Sequence, residues 1–204
     1  MLSSLMNIHV PTHEFTRTTR AAEGLERWRW TVAELERLVE FGVFPKEQRI
    51  ELIGGEIVPM SPTGRPHEVL KEDLADDLSA LAPKGIKVRT EQQFNLDAST
   101  YTRPDLIVRR AGTKSYDLDA KSVLLVVEVA ESSLDYGNNT KAKLYASFGV
   151  REYWVIDART RSTRVHSNPE SDGYKEVFEV SATELVTPKL VSALAVRMSD
   201  VDAD

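Results

Sequence analysis

The chain has 204 residues, of which 41% are hydrophobic and 28% charged, with a formal net charge of −6. That length and balance suit one sizeable domain with a buried core and exclude wholesale disorder. With 0 Cys, disulfides, thiolate metal sites and cysteine catalysis are excluded as well.

Residues 1–26 carry no sustained periodicity and read as a loose leader, ahead of one domain over 27–198 and an acidic tail over 199–204. Thr31 with Glu34 forms a capping box, and Val32, Leu35, Leu38 and Val39 follow at helical spacing. Ile50–Ile53, Gly54-Gly55 and Glu56–Val58 read as a tight hairpin. After the loop Ser61–Pro66, the stripe Leu70, Leu74, Leu78 and Leu81 predicts a helix stopped by Pro83. Strands are expected over 87–96, 103–109 and 123–129, the last a continuous apolar run. A helix follows over 139–148, closed by Gly149, and then a strand over 152–157. Arg164–His166 and Tyr174–Val180 read as a closing hairpin across the 168–173 turn region. This order predicts an α/β sandwich built around a mixed sheet.

No stretch is long and apolar enough to span a bilayer, and no signal peptide is visible, so the expectation is a soluble cytoplasmic protein. The negative charge argues mildly against a nucleic-acid binder, because contact with a phosphate backbone needs local positive charge. Three basic groups, around Arg103–Lys114, Lys84–Arg89 and Arg159–Arg164, read as scattered surface charge.

Two acids stand out. Asp105 follows Pro104 and leads into Leu106-Ile107-Val108, and Glu128 closes the run Val123–Val127. Strand alternation puts Glu128 on the face of Leu124, Val126 and Ala130, opposite Leu125, Val127 and Val129. Carboxylates on neighbouring apolar strands repel unless a divalent ion lies between them. Lys141 shares a helical face with Leu144, Tyr145 and Phe148, from which its ammonium either snorkels to solvent or, on the sharper reading, turns toward the two acids, whereas Lys143 points elsewhere. On pattern alone Glu51 reads as a solvent-facing glutamate and His67 as a structural histidine. There is no phosphate-binding glycine loop, nucleophile elbow or zinc-protease motif.

Several stretches are similar to the bacterial Uma-two family, a group related to restriction endonucleases. They are Trp30-Thr31, Arg49 to Ile57, Met60-Ser61-Pro62, His67, Arg103 to Leu106, Val126 to Tyr136 and Lys141 to Asp157. The resemblance implies a PD-(D/E)XK, restriction-endonuclease-like core with a central mixed β-sheet flanked by helices. It implies a magnesium- or manganese-dependent endonuclease that hydrolyses DNA phosphodiesters. The family's acids fall on Asp105 and Glu128, which with the Val129 carbonyl would hold the metal. Glu51 falls on an early acid, an accessory ligand. The lysine usual two residues after the glutamate is replaced by Ala130, so the resemblance moves its role to Lys141. A two-fold homodimer is also expected, since a duplex has two strands to cut. The rival expectations are a catalytically inactive nuclease-like module that binds nucleic acid or protein, and a structural protein whose Tyr153-Trp154 strand is core or interface.

Overall fold

A computed structural model describes residues 24–45, 48–60, 62–114, 118–131, 134 and 136–201. Most of the expected leader and the last three residues of the acidic tail lie outside them.

The first helix, α1, is Val32–Glu40, and the Thr31–Glu34 capping box forms as expected. Only Val32 and Leu35 of its stripe are buried, while Val39 is 51% exposed. Strands β1 (Ile50–Ile53) and β2 (Glu56–Pro59) pair antiparallel across Gly54-Gly55, both at positive φ. Helix α2 (Arg65–Leu81) buries Leu70, Leu74 and Leu78, but Leu81 is 46% exposed.

The single strand expected over 87–96 is two strands in two sheets. Strand β3 (Ile86–Thr90) pairs with β6 (Leu106–Arg110), whereas β4 (Phe94–Asp97) pairs with β5 (Thr100–Thr102). The break falls at Glu91, whose φ of +48° cannot continue a strand. The expected strand 103–109 shifts likewise: β6 runs Leu106–Arg110, leaving Asp105 just ahead of it.

Strand β7 is Val123–Ala130 and β8 is Glu152–Asp157. They run parallel, and the crossover between them differs from the expected helix: it begins with a π-helical segment, Tyr136–Lys141, and continues as the short α3, Ala142–Ser147. Strands β9 (Thr163–Glu170) and β10 (Gly173–Val180) form the closing hairpin, longer on the β9 side than expected. The final segment carries a short 3-10 turn at Ser192–Leu194.

Two sheets result. A four-stranded sheet has order β2-β1-β5-β4, and a six-stranded mixed sheet has order β10-β9-β8-β7-β6-β3. On one face of the larger sheet, Leu125, Val127 and Val129 cluster with Leu70, Leu74 and Leu78 of α2 and with Leu194 and Met198. On the other face Val126 and Ala130 cluster with Ala142, Tyr145 and Tyr153. Leu124 departs from strict alternation and joins the first cluster, because the β6–β7 register slips between Val108 and Arg109 and skips it. Trp154 and Tyr153 are fully buried core residues. No helix among the described residues is long and apolar enough to cross a membrane.

Candidate active site

The β6–β7 register brings the two acids together. Leu106 stands opposite Val127, so one step further Asp105 meets Glu128. Asp105 is 4% exposed, and its Oδ2 accepts the Val129 N–H at 2.8 Å, closing the ladder where β6 has not yet begun. The same oxygen lies 3.1 Å from His67 Nε2. Glu128 is 9% exposed at the end of the apolar run.

Lys141 arrives from the crossover. Gly137 lets the π-helical segment sit against β8: a Cβ there would lie 3.3 Å from Val155 Cγ1, and the Gly137 carbonyl accepts the Tyr153 hydroxyl at 3.2 Å. One turn later Lys141 is buried, with Nζ 2.8 Å from Glu128 Oε1 and 3.0 Å from Glu51 Oε1. The face reading for Lys141 and Tyr145 agrees with this, while Leu144 and Phe148 are only half-buried and Ala142 and Ala146 complete the buried stripe. Lys143 is exposed, as expected.

Glu51 corrects the pattern reading. It is 2% exposed rather than solvent-facing, because the second sheet packs β1 against the site. Its Oε1 accepts both Lys141 and the Arg103 N–H at 3.0 Å. His67 is buried too, aimed at Asp105 through Nε2, with Glu68 Oε1 3.4 Å from Nδ1. Sequence reasoning left its contact with Asp105 unassigned because the two are 38 residues apart. Tyr145 was also missed as a site residue: its hydroxyl lies 3.3 Å from Glu128 Oε1 and 3.1 Å from Thr102 Oγ1. Its helical spacing from Lys141 was the available signal.

The electrostatics follow from burial. Desolvation pushes the Glu128 carboxyl up to about 7; Lys141 pulls it down, while Asp105 and Glu51 add to the rise. Burial opposes the charge on Lys141, but Glu128 and Glu51 outweigh it and hold the ammonium protonated. Burial likewise opposes protonation of His67, and its bond and charge contacts with Asp105 and Glu68 outweigh that.

Glu51, His67, Asp105, Glu128 and Lys141 line one cleft of about 380 Å³, with Arg49 and Tyr136 on its walls. Among the described residues no three His, Asp or Glu side chains converge closely enough to ligate one ion. Asp105 and Glu128 still fit a hard cation. Both present oxygen, the bonds above engage one oxygen of each, and magnesium keeps several waters of its own. Val129 lines the same cleft.

A family model described as "Putative restriction endonuclease", Uma2, matches residues 32–199. The chain belongs to the Uma2 family. A crystal structure described as a putative nuclease belonging to DUF820, from Anabaena variabilis, shares 18% identity with a TM-score of 0.62. The match covers 80% of this chain and 96% of that one. No curated protein matches the chain. The Uma2 fold here is thus restriction-endonuclease-like, a central mixed sheet with helices about it, and the family supports a nuclease-like function.

Proposed function

We propose that this protein is a magnesium- or manganese-dependent endonuclease that hydrolyses DNA phosphodiesters in the cleft between the two sheets. One observation carries the reading. The lysine missing at position 130 is replaced in space by Lys141, whose Nζ reaches Glu128 beside Asp105.

Asp105 and Glu128, with the Val129 carbonyl, would hold the ion. When bound, such an ion supplies Lewis acidity and lowers the pKa of a coordinated water. The chain's own residues do the rest. Val129 N–H and His67 fix Asp105 through Oδ2. Glu51 takes a second bond from Lys141 besides the one to Glu128 and so helps aim the ammonium. Lys141 then orients an attacking water and stabilises negative charge developing on the phosphoryl oxygens. Glu51 acts here as a positioning partner. A two-fold dimer would set two such clefts against the two strands of a duplex. Light scattering should then give twice the monomer mass of 22.9 kDa, and the monomer mass at micromolar concentration counts against a dimer.

The deciding experiment is a cleavage assay on plasmid, linear and single-stranded DNA, with magnesium or manganese and with chelator. Metal-dependent cleavage that disappears in Glu128→Ala is expected. A wild-type protein that cuts no nucleic acid with either metal sinks the reading. A second reading, a nuclease-like module that binds without turnover, is favoured by the lysine already neutralised between two carboxylates. Metal or DNA binding without cleavage selects it.

A further inference from the structure

We propose that Arg49 is the cleft's phosphate grip, a guanidinium that takes a non-bridging oxygen of the nucleic-acid backbone next to the reacting phosphodiester. The identity of that anion rests on the nuclease reading; the binding role of Arg49 rests on the geometry that follows.

The cleft holds three cationic side chains, and two of them each face two carboxylates. Lys141 is bonded to Glu51 and Glu128, and His67 stands between Asp105 and Glu68. Arg49 differs. Among the described residues its ion partner is Glu91 alone, 3.2 Å from Nη2, and that buried nitrogen lacks any well-formed hydrogen bond. A guanidinium has five N–H donors, so most of its capacity is unspent. The side chain is 29% exposed where it lines the cleft.

Arg49 lies two residues before Glu51, one strand period, so both project to the cleft. The chain also works to hold it there. Glu91 adopts φ +48°, a left-handed conformation that is unfavourable for a non-glycine residue. In that conformation its N–H donates to the Asp105 carbonyl at 3.0 Å, and its carboxylate spans Lys71 Nζ at 2.6 Å and Arg49. Glu91 therefore ties the backbone of Asp105 to the guanidinium of Arg49. A strained residue kept behind a cleft side chain is a pointer to function there. A planar fork with free donors suits a phosphate better than an ammonium does.

The test is the affinity of the full chain for a short fluorescent duplex DNA, measured by anisotropy over a salt series with calcium present. Arg49→Gln is expected to weaken binding about tenfold, the scale of one charge-assisted contact. It should also reduce the slope of log affinity against log salt by about one, the signature of one lost phosphate contact. Arg49→Lys should recover part of the affinity. Glu91→Gln, which removes the ion pair that positions the guanidinium but keeps its charge, should weaken binding less than Arg49→Gln does and leave the salt slope at or above that of wild type. Wild-type affinity and slope in Arg49→Gln overturn the proposal, whatever the protein cleaves. So does a Glu91→Gln variant that reproduces the reduced salt slope of Arg49→Gln, since the lost phosphate contact would then not belong to the Arg49 charge, which that variant keeps. A wild type that binds with an Arg49-dependent slope but never cuts keeps the proposal and removes the hydrolytic reading. A wild type that binds no DNA removes both.

Discussion

Lys141 Nζ sits 2.8 Å from Glu128 Oε1, the two being 13 residues apart and joined by the crossover that separates parallel strands β7 and β8. From sequence, Lys141→Ala is expected to spare folding; the structure revises that. Removing a buried ammonium leaves Glu51 and Glu128 facing each other with no cation, and they must share a proton. Lys141→Met should therefore lower cleavage by roughly two to three orders of magnitude. It should also melt lower than wild type at pH 8, with the gap narrowing toward pH 6 as the raised Glu128 carboxyl takes up a proton. Lys143→Ala, exposed one residue pair away, should match wild type in both assays.

Metal binding tests the acids directly. Calorimetry should show magnesium or manganese binding in the wild type and its loss in Asp105→Ala and in Glu128→Ala. Equal heats in all three proteins would remove the metal site. Because the ion binds the folded chain, loading should also raise the melting temperature.

Asp105→Asn tests a reversal. Two bare neighbouring carboxylates would repel, and neutralising one would stabilise the metal-free fold. Here Asp105 accepts the Val129 N–H and contacts His67. The amide weakens both interactions, so the metal-free melting temperature should fall, by a few degrees on the scale of about 1–3 kcal/mol for a buried hydrogen bond to a charged group. A rise would show that repulsion dominates.

His166 gives a pH signature away from the cleft. It is buried between Tyr153 and Tyr174, and burial, aided by the charge of Arg164, lowers its imidazole to about 4 from 6.5. Above pH 6.5 it is neutral folded or unfolded. Between 6.5 and 4 the unfolded chain takes up the proton first, so stability is lost as pH falls through that window. His166→Phe should lose less melting temperature between pH 7 and 5 than wild type does. Glu128, raised to about 7, gives the opposite slope from 7 down to 4.5 in both proteins, so the difference isolates His166. Parallel curves would contradict the assignment.

Gly55 controls how the hairpin meets the chain before α1. Its φ is +80°, and an added Cβ would lie 2.8 Å from Arg29 Cβ and 3.0 Å from Arg29 Cα. Gly55→Ala should destabilise the fold by about 1–3 kcal/mol, read as a lower urea midpoint. Gly54, whose Cβ would meet nothing within 4 Å, should cost less when replaced by Asn, a residue that tolerates positive φ.

The sequence by itself determined the elements whose signals are local. The capping box at Thr31, the glycine pair at 54–55, the Leu70–Leu78 stripe and the apolar run ending at Glu128 all formed as read. Asp105, Glu128 and Lys141 were legible because each interrupts an apolar pattern, and a charge on a core-facing position needs a partner. Family motifs supplied the fold they belong to. Tertiary structure alone decided which sheet each strand joined. Residues 87–96 look continuous in sequence, but Glu91 turns left-handed and sends its two halves to different sheets. It alone decided the burial of Glu51 as well. A four-residue strand does not reveal that its outward face will be covered, and the buried Glu51 is matched in charge by a lysine 90 residues away that arrives on a π-helical turn. Burial of a charge is a property of the pair, and the pair exists only after the sheets have packed.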